Sequence, residues 1–329
     1  MSRQPVVVVL HDGEMPSESS MAPVVERARE VRYATAAELP EAIVGADVLF
    51  AYDFFSSAIP DAWPAADALE WIHVASTGVD AILSPELRAS DVVLTNSRGV
   101  FDEAIAEYVL GQVLSFAKDL PRSWELQQAR RWVHRESERV AGTSALVIGT
   151  GQIGRAIARL LRAAGIRVSG SGRRARTDDP DFGTVTAQDD LHEALAGADW
   201  VVCIAPLTED TRGMLDAAAF RAMADHARLI NVGRGESVVT DDLVAALREG
   251  AIAGAALDVL DTEPLPADHP LWDLPDVRIT PHNSGDFVGW RDALVRVFTD
   301  NFARWVDGEP LRDVVDTSLG YVPTDGSTR

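Results

Sequence analysis

The run Gly149-Thr150-Gly151-Gln152-Ile153-Gly154 has the G-x-G-x-x-G spacing that can cradle a pyrophosphate. Glycine-rich turns are common, but this one follows a short apolar run and opens a helical one. The first glycine permits a sharp turn, the second lets backbone N–H groups approach the phosphates, and the third lets the helix pack closely on its strand. About twenty residues on, an acidic side chain would accept hydrogen bonds from a ribose 2′-OH. Here the chain reads Gly172-Arg173-Arg174 instead. A carboxylate would repel a 2′-phosphate, whereas guanidinium groups pair with it bidentately. The residues therefore point to a nicotinamide dinucleotide site that favours NADP(H) over NAD(H). Asp178 and Asp179 lie too far along the same loop to substitute for the missing acid.

Such a turn needs a strand before it and a helix after it. Residues 145–148 read as a short strand, and Ile153, Ile157, Leu160, Leu161 and Ala164 fall at helical spacing before Gly165. Further strands are expected at 167–171, 200–205, 229–232 and 255–257, with helices from Asp216 and over 240–249, the latter closed by Gly250. This is the pattern of a doubly wound α/β domain with a parallel sheet. In the first hundred residues, apolar runs at 6–10, 48–51, 71–75 and 92–95 alternate with helical stretches and predict a second set of βαβ units. Asp102 is the expected N-cap of a helix carrying Ala106, Val109, Leu110, Val113, Leu114 and Ala117, stopped by Pro121. After His282 a helical pattern returns through Ala293, Val297, Phe298 and Phe302, and the polar end from Thr324 reads as frayed. No internal repeat is visible.

The chain has 329 residues, 47% of them hydrophobic and 25% charged, enough for two packed domains. A formal net charge of -21 opposes nucleic-acid phosphates and anionic lipid surfaces as general partners. The single cysteine, Cys203, reads as a buried strand residue and allows neither an internal disulfide nor a cysteine metal cluster, which fits a cytoplasmic location. The apolar run from Val6 is too short for a signal segment, and no run reaches the roughly 20 apolar residues that span a bilayer.

Several further motifs occur in a fixed order after the dinucleotide turn: Asn231-Val232-Gly233-Arg234-Gly235, then Leu257-Asp258-Val259 leading to Glu263-Pro264-Leu265, then Thr280-Pro281-His282. With Ser76-Thr77-Gly78-Val79-Asp80, Asn96, Glu107, Trp132, and Ala205-Pro206-Leu207-Thr208 with Thr211, they resemble the D-isomer-specific 2-hydroxyacid dehydrogenase family over nearly the whole chain. In character the chain is nearest the NADP-dependent glyoxylate/hydroxypyruvate reductases. The resemblance implies two Rossmann-like doubly wound domains. The dinucleotide-binding domain, 100–282, is inserted into a smaller flavodoxin-like substrate domain formed by 1–99 and 283–329, with a cleft between them that closes on substrate.

The resemblance also implies the chemistry. Hydride arriving at C2 of a 2-keto acid builds negative charge on oxygen, and an acid must supply a proton as that charge develops. His282 corresponds to that acid, and the ordinary histidine pKa near neutrality suits proton traffic in both directions. Glu263 corresponds to the carboxylate that orients the imidazole and stabilises its protonated form. Arg234 corresponds to the residue that grips the substrate carboxylate and polarises the carbonyl. Thr77 and the amides of Gly78 and Val79 correspond to further substrate contacts. Gly149, Gly151, Gln152, Ile153, Gly154, Arg173, Arg174, Pro206, Thr211, Val232, Gly233, Asp258, Ser284 and Gly285 correspond to cofactor contacts, Asp258 having an N-cap or turn role as its alternative. A homodimer is the family's usual assembly.

Other residues carry weaker expectations. His73, His192, His226 and His269 lack metal-site spacing and are read as structural, and Asp47, Asp53, Asp61 and Asp67 as a solvated surface. Tyr52, Phe54 and Phe55 either shape the substrate pocket or pack in the core, and Trp290 is a candidate for the wall near His282. The alternatives are a dehydrogenase of the same fold acting on phosphoglycerate, lactate or a branched 2-hydroxy acid, or a non-catalytic corepressor that binds dinucleotide. Formate oxidation is disfavoured, because related formate dehydrogenases carry glutamine where this chain has Glu263.

Overall fold

The computed structural model describes residues 4–323, so the expected fraying from Thr324 lies outside the described residues. The chain forms two compact units, one comprising the residues up to Val100 together with those from Phe287 on, the other Phe101–Asp286.

The first unit begins with β1 (Val6–Leu10), α1 (Glu18–Val25), β2 (Glu30–Ala34), α2 (Leu39–Ala42), β3 (Val48–Ala51), α3 (Ala58–Ala62), β4 (Trp71–Val74), α4 (Pro85–Arg88) and β5 (Val93–Asn96). All five strands are parallel, in the order β2-β1-β3-β4-β5, which is the flavodoxin-like arrangement. The central strands β1, β3 and β4 are buried along their whole length, as short, mostly apolar runs covered on both faces should be. Two of the aspartates read as solvated have structural work: Asp47 accepts the Val6 amide at 2.7 Å and Asp67 the Gly45 amide at 2.7 Å, tying strand starts to neighbouring turns.

The second unit contains α5 (Asp102–Ala117), α6 (Leu120–Gln128), β6 (Ser144–Ile148), α7 (Gln152–Ala163), β7 (Arg167–Gly172), β8 (Arg176–Asp179), β9 (Gly183–Ala187), α8 (Leu191–Leu195), β10 (Trp200–Cys203), α9 (Ala217–Ala222), β11 (Arg228–Asn231), α10 (Thr240–Glu249), β12 (Gly254–Leu257) and β13 (Val277–Ile279). The chain then closes the first unit with α11 (Trp290–Asp307). The sheet order is β13-β12-β11-β10-β6-β7-β9-β8, parallel except for the β8–β9 hairpin. Consecutive strands diverge on either side of β6, so the switch point, where α/β sheets take ligands at their carboxyl ends, lies between β6 and β10.

The structure revises three local expectations. Phe101 is the N-cap of α5 and Asp102 its first residue, so the carboxylate acts in the first turn, where the helix dipole favours negative charge. Pro121 does not simply stop that helix; it sits in the first turn of α6, where a missing N–H costs nothing. The stretch holding Asp178 and Asp179 is not a loop but the strand β8. The second unit also retains Asn283, Ser284 and Gly285 beyond His282, because Asp258 holds the first two amides and Phe101 packs where a Gly285 side chain would stand.

Candidate active site

Arg234, Glu263 and His282 follow three neighbouring strands, β11, β12 and β13. Asn231 ends β11 and shapes the turn after it: its Oδ1 accepts the Gly233 amide at 3.2 Å and its Nδ2 donates to the Arg234 carbonyl at 3.0 Å. Val232 and Gly233 are buried within that turn, and Arg234 is half-buried, with Nη1 donating to the Gly233 carbonyl at 2.8 Å. At Gly235 a Cβ would fall 1.8 Å from the carbonyl carbon of Leu260. Only glycine lets the segment after β12 lie against the arginine turn, and that segment delivers Glu263. The Glu263 carboxylate accepts the Leu260 amide through Oε1 at 2.8 Å and meets His282 Nδ1 through Oε2 at 2.8 Å.

His282 adopts a left-handed backbone conformation (φ 51°), uncommon for a residue with a side chain, and the surroundings hold it there. Its amide donates to the Asp258 carbonyl at 2.9 Å, and the amides of Asn283 and Ser284 donate to the Asp258 carboxylate at 3.0 and 2.9 Å. Thr280 Oγ1 donates to the same carboxylate at 2.6 Å. That spends the threonine's one proton, so the Tyr108 hydroxyl, 2.6 Å away, is the donor to Thr280. Asp258, 1% exposed, thus anchors the His282 turn, the turn role that its sequence left open. Tyr108 carried no signal in the sequence beyond a polar atom on a largely apolar helix.

Electrostatics favour an ionised Glu263. Burial pushes its pKa upward, but the His282 hydrogen bond, the Leu260 amide and the charges of His282 and Arg234 outweigh it, leaving the carboxyl below its ordinary value. Such a group holds an imidazole in one orientation and stabilises a proton on it.

The glycine turn fits a dinucleotide. Gly149 has φ 108°, and a Cβ there would lie 2.7 Å from the Ile204–Ala205 backbone, which brings β6 and the end of β10 together at the switch point. A Cβ on Gly154 would lie 2.0 Å from the Gly149 carbonyl oxygen, so only glycine allows α7 to start so close to its strand. A Cβ on Gly151, by contrast, meets nothing within 4 Å, and this residue caps α7 with Gln152 and Ile153 half-buried behind it. The helix N-terminus therefore opens onto clear space, which suits a pyrophosphate. Arg173 and Arg174 are exposed just past β7, whose last residues run beside the end of β6. Thr211 is spent within its own loop: its hydroxyl donates to the Pro206 carbonyl at 2.6 Å and accepts the Thr208 amide at 2.8 Å, so it shapes the turn after β10.

In the first unit, the Thr77-Gly78-Val79 loop is fixed by Asn96 Nδ2, which donates to the Thr77 carbonyl at 2.7 Å, and by Ser76 Oγ, which donates to the Gly78 carbonyl at 2.5 Å. Tyr52 is core, 5% exposed, and Phe55 is 63% exposed, while Phe54 packs edge-on against Trp290 at 5.9 Å. His73 is fully buried in a hydrogen-bonded cluster with Thr95 and Ser97. Cys203 is buried in β10, and its thiol is pushed up to about 11 by that burial. Among the described residues no group of three or more His, Cys, Asp or Glu side chains is placed to hold a metal, and no helix is long and apolar enough to cross a membrane.

Residues 110–284 match the family model described as the NAD binding domain of D-isomer specific 2-hydroxyacid dehydrogenases. The chain is 31% identical over 263 residues to glyoxylate/hydroxypyruvate reductase A of Escherichia fergusonii, covering 78% of this chain and 83% of that protein. A D-isomer specific 2-hydroxyacid dehydrogenase family protein from Aeromonas salmonicida superposes with a TM-score of 0.80 at 32% identity, covering 96% of this chain and all of that one. The NADPH-dependent glyoxylate/hydroxypyruvate reductase of Sinorhizobium meliloti, solved with NADP and sulfate, gives 0.82 at 29% identity over 97% of this chain and 100% of that one. The likeness runs along most of the chain, and the protein belongs to the D-isomer specific 2-hydroxyacid dehydrogenase family of NAD(P)-dependent oxidoreductases.

Proposed function

We propose that the protein reduces a small 2-keto acid, glyoxylate or hydroxypyruvate, to the D-2-hydroxy acid, with NADPH as the preferred cofactor. The observation that carries the reaction type is the 2.8 Å contact between His282 Nδ1 and an ionised Glu263 beside Arg234. With Nδ1 committed to Glu263, Nε2 is the nitrogen that holds the proton for the carbonyl oxygen, and Glu263 keeps the ring turned that way. Arg234 takes the substrate carboxylate and withdraws charge from the carbonyl, and likeness to the family makes the amides of Gly78 and Val79 further substrate contacts. The cofactor, when bound, supplies the hydride. Gly149, Gly151 and Gly154 with the start of α7 hold its pyrophosphate, while Val232, Gly233, Ser284 and Gly285 complete its seat by likeness to the family. NADPH is favoured by Arg173 and Arg174 standing where an acid would select NAD, and by the NADP carried by the Sinorhizobium relative. Family likeness adds a homodimer, and the single cysteine fits a reducing cytoplasm.

The test follows oxidation of NADPH and NADH separately, at matched concentrations, with glyoxylate, hydroxypyruvate, pyruvate and a branched 2-keto acid. Turnover should be faster with NADPH and greatest with one of the first two acids, and His282→Ala should lower kcat by about 10²–10⁴-fold. A preference for NADH refutes the cofactor assignment alone. Absence of turnover with every pair, while NADPH still binds, refutes the reductase.

A further inference from the structure

Charge ties down the strands that follow the two exposed arginines. Only Arg173, Arg174 and Ala175 lie between the last residue of β7, Gly172, and the first of β8, Arg176. At the far end of β8 the Asp179 side chain is 2% exposed. Five donors converge on it: Arg155 Nη1 and Nη2, each at 3.0 Å, Arg176 Nε at 2.8 Å, and the amides of Asp181 and Phe182 at 3.1 and 3.3 Å. Arg155 belongs to α7, in the first turn after the glycine motif, and its Nη1 also reaches Asp181 at 2.8 Å. The Arg155 guanidinium stands 5.5 Å from the centre of the Phe182 ring, which packs so closely on β7 that a Cβ at Gly170 would meet it at 3.1 Å. Burial opposes ionisation of Asp179, but the Arg155 and Arg176 hydrogen bonds dominate and hold the carboxyl well below the usual range.

The hairpin is thereby clamped to the helix whose N-terminus faces the glycine turn, and the three-residue corner is fixed at both ends. Pairing a planar guanidinium bidentately with a phosphate demands a defined direction of approach, which a corner free to swing would not supply. Asp179, with its oxygens committed to these donors, is also not available to a ribose hydroxyl.

We propose that Asp179 is a positioning residue for cofactor selection, one that fixes the Arg173–Arg174 corner in the orientation that receives a 2′-phosphate. The proposal rests on the NADPH reading above. Its test turns on a sign. Asp179→Asn removes a negative charge from the neighbourhood of the corner, and Coulomb's law alone would then tighten binding of the 2′-phosphate. Loss of position weakens it instead.

The ratio of kcat/KM with NADPH to that with NADH should fall about tenfold in Asp179→Asn, the worth of a charge-assisted hydrogen bond. The fall should appear in KM for NADPH, with kcat at saturating cofactor nearly unchanged. Asp181→Asn, at a site whose side chain is 15% exposed, is the variant that decides should the first not fold, and it should move the ratio in the same direction by less. Arg173→Ala/Arg174→Ala serves as the reference. If the reference collapses the ratio while both aspartate variants leave it unchanged or raise it, the positioning role is overturned and the NADPH reading stands. If the reference leaves the ratio unchanged, the NADPH reading fails and the inference fails with it.

Discussion

Glu263 stays ionised because of its neighbours, since burial works against it. Its folded pKa is depressed, so the stabilisation it gains in the native state is present above the ordinary glutamate range and is lost as pH falls through the lower, folded value. Over the neutral range the site keeps a carboxylate behind the imidazole. Glu263→Gln preserves size and one acceptor but removes the charge, and should lower kcat by about 10²–10⁴-fold in steady-state assays with KM for the keto acid nearly unchanged. A loss confined to KM would mean that the carboxylate serves binding and not proton transfer. His73 titrates in another place and with another result. Ser97 Oγ donates to the Val74 carbonyl, so it accepts from His73 Nε2; Trp71 Nε1 donates to Thr95 Oγ1, whose own proton is left for His73 Nδ1. The chain of bonds suits one neutral tautomer, and burial pushes the pKa down to about 3. The unfolded histidine binds a proton near pH 6.5 and the folded one does not, so stability should fall steadily as pH drops from about 6.5 toward 3. In His73→Gln the acid slope of the unfolding free energy in urea titrations should be shallower; an unchanged slope would show that His73 protonates without unfolding.

Elements explain both what the sequence disclosed and what it hid. β1, β3, β4, β6 and β10 are buried along almost all of their length, so their apolar runs stand out. β2, β8 and β13 lie at sheet edges and β9 beside one; their sequences, EVRYA, RTDD, VRI and GTVTA, carry the polar residues an edge tolerates and no run to notice. The glycine turn and the order Arg234, Glu263, His282 were legible because backbone approach and proton chemistry admit few residue types. The supporting hydrogen bonds were not, because Tyr108 and Thr280 lie 172 positions apart and meet only once α5 and β13 share a unit. Thr280→Val removes the hydroxyl between Tyr108 and Asp258 while keeping the shape of the side chain. It takes the Thr280 acceptor from the half-buried Tyr108 hydroxyl and one donor from the Asp258 carboxylate, relaxing the turn that holds His282 at positive φ and costing about 1 kcal/mol of stability. The sharper readout is kcat, which should drop several-fold and recover in Thr280→Ser; equal losses in the valine and serine variants would point to packing instead.

For the whole molecule the governing quantity is the excess of 51 acidic over 30 basic side chains. Some of the arginines are spent in tight contacts: Arg228 meets Glu138 at 2.9 Å, Arg291 meets Glu14 at 2.7 Å, and Arg27 pairs with Asp307. The acidic excess remains after such pairing, and net self-repulsion of this kind destabilises a compact state. Added salt screens the long-range repulsion between exposed groups, as the Debye length shrinks from about 10 Å at 0.1 M to about 3 Å at 1 M, while close and poorly exposed pairs such as Arg155–Asp179 are screened far less. The balance should therefore shift in favour of folding as salt rises. Each kcal/mol so gained raises Tm by about 1–4 °C in a chain of this size. Thermal unfolding in 0.05 and 1 M KCl, repeated with choline chloride to separate screening from effects of the particular cation, should give a higher Tm in the stronger salt with either cation. A rise with KCl alone would mean specific potassium binding, and a fall with both would mean that surface ion pairs, not the net charge, dominate the electrostatic energy of the fold.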